Sequence, residues 1–260
     1  MTGQLKAGVK LLVLALWIAL CCALAWPAKL LSRIDWRDRA VCLCYRGILR
    51  IIGLHLAVDG QLSERRPLLL VTNHLSYLDV ALLGSCAAVR FTPKSDIGAW
   101  PVIGWICRLC DAVFIDRRAE KVGQGKAAMQ ASLASGAVMC LFPESSTGNG
   151  LHLLPFKPAF FSLAEEPING MELIVQPAAL TYTSIRRLPV DHAQWPQIAW
   201  YGDMELMPHL WELLKLGPIG AKLTFLPPVS AGEYGNRKQL AAYCQKAIAS
   251  AIEAMRGTSE

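Results

Sequence analysis

A histidine and an aspartate five residues apart, His74 and Asp79, lie in the stretch "LLLVTNHLSYLDVALLG" between two apolar runs. Imidazole is the side chain that takes and returns a proton near neutral pH. A carboxylate reaching its Nδ1–H would fix the tautomer and leave Nε2 free as a general base, a role worth about 10²–10⁴ in rate. The nucleophile could then be a substrate hydroxyl rather than a group of the protein. A bare pair of this kind is equally served by a capping Asn or Asp beside a structural histidine, and the pattern alone favours that plainer reading.

Other reactive groups carry weaker signals. "GQGK" at Gly123 to Lys126 has the wrong spacing for a phosphate loop and no Ser or Thr after the lysine. Ser145 and Ser146 lack the Gly-x-Ser-x-Gly elbow of a hydrolase nucleophile. Cys42-x-Cys44 and Cys107-x-x-Cys110 have no second pair at zinc spacing, so the nine cysteines read as reduced, mostly buried thiols of a cytoplasmic-facing chain. His55, His152, His192 and His209 read as structural or exposed, and no metal site is expected.

The elements around the pair must hold it. "RRPLLLVTNH" reads as a buried strand delivering His74, and Tyr77 onwards as a helix with Asp79 in its first turn. The turn after a strand is where open α/β sheets bind ligands. Further strands are predicted at "HLAVDG", Val89 to Pro93, Ala112 to Ile115, "AVMCLFPE", "LIVQPAALTY" and "AKLTFLPPVS". Helices are predicted after Pro101, over "AEKVGQGKAAMQASLAS" with Gly136 as its stop, and over "RKQLAAYCQKAIASAIEAM". This alternation argues for an α/β domain with a largely parallel mixed sheet flanked by helices, spanning residues 56–260.

Residues 1–55 are of another character. The chain of 260 residues is 53% hydrophobic and only 18% charged, with a net charge of +6. The 18 residues between Lys10 and Lys29 carry no charge. A helix needs about 20 apolar residues to cross a bilayer upright, so this one reads as a short span, a monotopic helix or a signal peptide. "ALA" at Ala23 to Ala25 would suit cleavage. The next predicted helix carries Arg33, Arg37, Arg46 and Arg50 beside Ile48, Leu49, Ile51, Ile52 and Leu54, as expected of a helix on an anionic leaflet. A retained anchor, a membrane-associated helix pair, is therefore the preferred reading. Trp195, Trp200 and Trp211 suit either a membrane interface or a packed core.

Residues 73 to 180 resemble the lysophospholipid acyltransferase family, typified by the 1-acylglycerol-3-phosphate acyltransferases. "NHLSYLD" matches its N-H-x-S-x-x-D block, with Asn73, His74, Ser76 and Asp79 in place. "VFIDR" matches the second block, with Arg117 as an acceptor-binding residue. "FPESST" stands where the family has F-P-E-G-T-R, and "IVQPAAL" matches the fourth block, with Pro177 shaping the site. Two linking stretches with Lys94 and Lys157 also fit. The resemblance implies that His74 is the catalytic base and Asp79 its partner. The other named residues, with Glu144, Ser145, Ser146 and Thr147, would bind substrate.

The reaction implied is acyl transfer from an acyl-CoA or acyl carrier protein thioester to a lysolipid hydroxyl, with no cofactor, metal or nucleic acid. It would take place on the cytoplasmic face of a bacterial inner membrane. The third block departs from the family: Ser145 replaces its glycine and Thr147 its arginine. Since a guanidinium fork matches phosphate geometry, the loss points away from lysophosphatidic acid. "WYGDM" through "LKLGP" resembles the lyso-ornithine lipid acyltransferase branch, whose acceptor is a 3-hydroxyl on an amide-linked chain. Asp203 and Glu205 could meet a cationic headgroup, although solvated carboxylates are the plainer reading. Lysophosphatidic acid is the alternative acceptor, and a non-catalytic lipid-binding protein the alternative of another class. An oriented base argues against the latter.

Overall fold

The computed structural model describes residues 3–115 and 122–257. Helices α1 (Gly3–Leu30) and α2 (Ile34–Ile52) precede β1 (Leu54–Asp59), β2 (Leu68–Thr72), α3 (Leu78–Cys86) and β3 (Val89–Phe91). Next come α4 (Pro101–Leu109), α5 (Val122–Ala134), β4 (Val138–Leu141) and β5 (Ile174–Ile185). The chain closes with β6 (Leu188–Pro189), α6 (Leu206–Lys215), β7 (Ile219–Phe225), β8 (Val229–Ser230) and α7 (Arg237–Gly257).

The sheet runs β1-β7-β5-β2-β4-β3, with β6 and β8 also paired to β5. β2 pairs in parallel with both β4 and β5, β3 with β4 and β1 with β7; β5 and β7 are antiparallel. β2 is buried on both faces, which is why "LLLVT" shows no alternation. Leu68 and Leu70 pack in a core with residues of α1, α2, α3 and α6, whereas Leu69 and Val71 join α5 and α7 beneath the other face.

Three expectations are corrected. Residues 112–115 form no strand. They run beside β3, with Val113 N–H on Phe91 O and Ile115 N–H on Pro93 O, but only Lys94 and Ile115 bridge. Pro93 has no N–H to return. "AKLTFLPPVS" is two strands, β7 and β8, split at Pro227-Pro228 for the same reason. The sheet begins at Leu54, so β1 starts inside the segment assigned to the N-terminal helices.

Helix α1, about 42 Å long at 1.5 Å per residue, is tied to the domain at both ends. Gln4 accepts from Trp211 Nε1 of α6 at 2.9 Å, and Lys29 Nζ donates to Arg108 O at the end of α4. A stripe of small residues, Ala7, Cys21, Ala25 and Ala28, is buried, while Leu5, Val9, Leu12, Leu16, Leu20 and Leu24 face outward. α2 packs beneath it so closely that a Cβ on Gly47 would meet the Trp17 ring at 2.1 Å.

Of the arginines predicted to face headgroups, Arg37 is buried. It pairs with Asp38 at 3.0 Å and with Asp111. Arg90 of β3 meets the same Asp38 at 2.7 Å, and Lys29 meets Asp111 at 2.8 Å. The cluster joins the ends of α1, α2 and α4 to the sheet. Arg46 stays exposed, with its Nε on Ser85 O at 2.9 Å. Trp195 belongs to the core, and all nine cysteines are free. Burial pushes the Cys110 thiol up to about 12, which suits an inert side chain.

Candidate active site

His74 leaves the end of β2 two residues after Thr72, and α3 begins at Leu78, so the intervening turn folds Asp79 back toward the imidazole. His74 Nδ1 lies 2.8 Å from Asp79 Oδ2, which also accepts the backbone N–H groups of Leu75 at 2.6 Å and Ser76 at 2.9 Å. Tyr182 Oη donates to the other oxygen, Oδ1, at 2.6 Å. Asp79 is fully buried, and these four donors are what make a carboxylate tolerable there. The histidine side chain is 20% exposed, and its Nε2 has no partner among the described residues. One face of the ring stacks on Phe142, centroids 3.9 Å apart, and Phe142 stacks on Phe91 at 6.2 Å.

Tyr182 escaped the sequence reading. It lies on the α3-facing side of β5 with Ala178 and Leu180, and a bulge between Tyr182 and Ser184 follows it. Burial, and then the neighbouring Asp79 charge, hold its phenol well above its ordinary pKa, so it remains a donor. Alternation along "PAALTY" could have placed it on that face, but its partner is 103 residues away.

Glu144 holds the histidine from behind. Its Oε1 accepts the His74 backbone N–H at 2.6 Å, and its Oε2 accepts that of Leu154 at 2.8 Å. The two loops meet because β2 and β4 are neighbours. Gly148 N–H donates back to His74 O at 2.8 Å. Burial raises the Glu144 carboxyl to about 7, against the pull of its two backbone donors, and Asp79 adds to the rise.

A pH dependence of stability follows. Between the ordinary value of 4.5 and about 7 the folded state holds a proton that the unfolded state has released. This group therefore makes stability fall as pH rises through that window, by on the order of 3 kcal/mol. Glu144→Gln is expected to remove that slope. It also turns an amide –NH₂ against one of two backbone donors, costing about 1–3 kcal/mol. Urea unfolding at pH 5 and pH 8 measures both, and an unchanged slope would assign the titration elsewhere.

The remaining candidates divide. Asn73 is occupied by the backbone of Leu180 through both ends of its amide, each at 2.9 Å, pinning β2 to β5. Ser76 is buried, with its Oγ 3.4 Å from Leu78 N. Pro177 is buried in β5 opposite Val71. Ser145, with φ +60°, is buried in the turn after β4, while Ser146 is exposed and Thr147 half-buried. Ser145 and Lys157 line a cleft of about 190 Å³ with Lys126, Met129 and Phe160. Lys94 is half exposed and pairs with Asp96. Arg117 lies outside the described residues. Asp203 and Glu205 are exposed, and His209 Nδ1 meets Tyr77 Oη at 3.0 Å. No group of residues among those described is arranged to hold a metal ion.

A buried-carboxylate–histidine pair at the end of a parallel strand, with one nitrogen open to the outside, is an arrangement in which imidazole can accept a proton. The chain belongs to the acyltransferase family: the family model described as Acyltransferase matches residues 55–181. A lyso-ornithine lipid O-acyltransferase of Rhizobium meliloti is 35% identical, the match covering 88% of this chain and 75% of that one. The protein of the same name from Brucella abortus is 36% identical over 79% of each. The crystal structure of the 1-acyl-sn-glycerophosphate acyltransferase PlsC from Thermotoga maritima superposes with a TM-score of 0.69 at 16% identity, covering 96% of this chain and 97% of that one. The expected family and α/β fold are thereby borne out, and with them an acyltransferase acting between an acyl donor and a lysolipid.

Proposed function

We propose that this chain completes a two-chain ornithine lipid by acylating lyso-ornithine lipid at a membrane surface. The observation that carries the reading is the turn hydrogen-bonded to the backbone of His74. Gly148 N–H holds His74 O at 2.8 Å, and the residues before it, Ser145 to Thr147, are hydroxyl residues where the resemblance leads one to expect a phosphate-reading arginine. The relatives named for lyso-ornithine lipid support the same acceptor.

His74 Nε2 takes the proton of the acceptor hydroxyl as its oxygen attacks the thioester carbonyl. The amides of Ser146 and Thr147, without a hydrogen bond to another described residue, are candidates to steady the oxyanion. When the intermediate collapses, the C–S bond breaks and the imidazolium returns its proton to the thiolate of CoA or carrier protein. The Asp79 carboxylate, 2.8 Å from Nδ1, stabilises the imidazolium. The thioester is the only co-substrate this scheme needs.

Helix α1 supports a seat on one leaflet of the inner membrane. It is apolar enough to span, but both its ends are bonded to the domain and its leucine stripe faces outward along its length. This geometry suits a monotopic helix lying in the interface better than an upright span.

Acyl transfer by the purified protein, offered lyso-ornithine lipid and lysophosphatidic acid in parallel with both thioesters, tests the assignment. Lyso-ornithine lipid is expected to be the acceptor used. Product from lysophosphatidic acid alone would overturn it. Thr147→Arg should shift preference toward the phosphate-bearing acceptor by about tenfold, the scale of one charge-assisted hydrogen bond. An unchanged ratio would mean that position 147 does not read the headgroup.

A further inference from the structure

We propose that α4 is a second bilayer-docking element, coplanar with the outward stripe of α1, so that the domain is seated at two points. This rests on the membrane reading above and adds to it a surface of the catalytic domain.

The nine-residue α4 exposes Val102 at 68%, Ile103 at 36% and Trp105 at 42%, with Trp100 at its N-cap 42% exposed. A water-facing helix of a soluble domain would place polar residues there. The stripe is not free to turn inward. Gly104, on the opposite side, lies so close to the preceding turn that a Cβ would meet Gly98 O at 2.5 Å. Two indoles beside aliphatic side chains are the composition of a membrane interface.

Continuity with α1 identifies the occupant. One turn past Trp105 on the same side, Leu109 is buried against Ala25 and Cys22 of α1, and Ile106 lines the apolar cavity between α1, α2 and α4. The stripe of α4 therefore runs into α1 where α1 exposes Leu20 and Leu24. Arg108 and Arg33 are exposed at this border, while Lys29 and Lys94 are paired with Asp111 and Asp96. With few free charges, the attraction is chiefly apolar insertion, and the occupant is a lipid bilayer rather than an acidic protein.

The placement has a catalytic meaning. α4 is reached ten residues after Phe91, whose ring stacks through Phe142 to His74. Seating α4 would hold the mouth of the site at headgroup level, where a lysolipid presents its hydroxyl.

The test uses the full chain on vesicles of phosphatidylethanolamine and phosphatidylglycerol at 7:3. Val102→Asp and Trp105→Asp each change an exposed side chain, so the fold and turnover of detergent-dispersed acceptor are expected to persist. Vesicle affinity and turnover of vesicle-borne acceptor should fall about tenfold. Leu188→Asp, equally exposed on β6, is the control and should change neither. Hydrogen exchange of residues 100–110 should slow when vesicles are added. Wild-type affinity in both α4 variants, or unslowed exchange in a vesicle-bound protein whose α1 is protected, overturns this proposal alone. A wild-type protein that does not bind vesicles overturns the membrane reading together with it.

Discussion

His74→Ala is expected to cut acyl transfer by about 10²–10⁴, to the level set by binding alone, while the protein stays folded. The fold should survive because the histidine contributes one of four donors to Asp79. Leu75 N–H, Ser76 N–H and Tyr182 Oη remain. The backbone N–H of residue 74 still reaches Glu144. What is lost is Nε2, the proposed proton acceptor, and the ring stacked on Phe142. Single-turnover rates with a radiolabelled thioester, alongside circular dichroism and vesicle binding, separate chemistry from folding. Turnover at the wild-type rate would end the assignment of His74 as base.

Asp79→Asn is expected to cost about 10²-fold or more in kcat with little change in KM. The sequence suggests that asparagine would harm catalysis by freeing the wrong imidazole tautomer, and the geometry changes that account. The amide oxygen can take the place of Oδ2 and accept from His74, Leu75 and Ser76, while its –NH₂ points to Tyr182, whose hydroxyl can rotate to accept. Position and tautomer are then kept. The negative charge that stabilises the imidazolium is not, and in a fully buried site that charge is weakly screened. The loss should therefore fall on kcat, where the imidazolium forms. An unchanged kcat would reduce Asp79 to an orienting group.

These residues also show what a sequence reveals. His74 and Asp79 were legible because one turn holds both, and five residues of spacing suffice to suggest the contact. Tyr182 was not: its partner is set by β5 lying beside β2, a pairing across more than a hundred residues. Glu144 could be named from its block, but its hold on the His74 N–H depends on β4 flanking β2 on the other side. Arg37 misled because an arginine on an amphipathic helix reads as solvent-facing until Asp111, far along the chain, is brought to it. The strand expected at 112–115 had the composition of one, and failed on the missing donor of Pro93.

The ion cluster of Arg37, Asp38, Arg90 and Asp111 has a kinetic consequence. A catalytic domain on a loose tether would tumble over the lipid and spend most encounters facing the wrong way. On the membrane seat proposed above, fastening the helix pair to the sheet would remove that rotational search. The variable left is lateral diffusion, so the rate should follow the number of acceptors per unit area of bilayer rather than their number per unit volume.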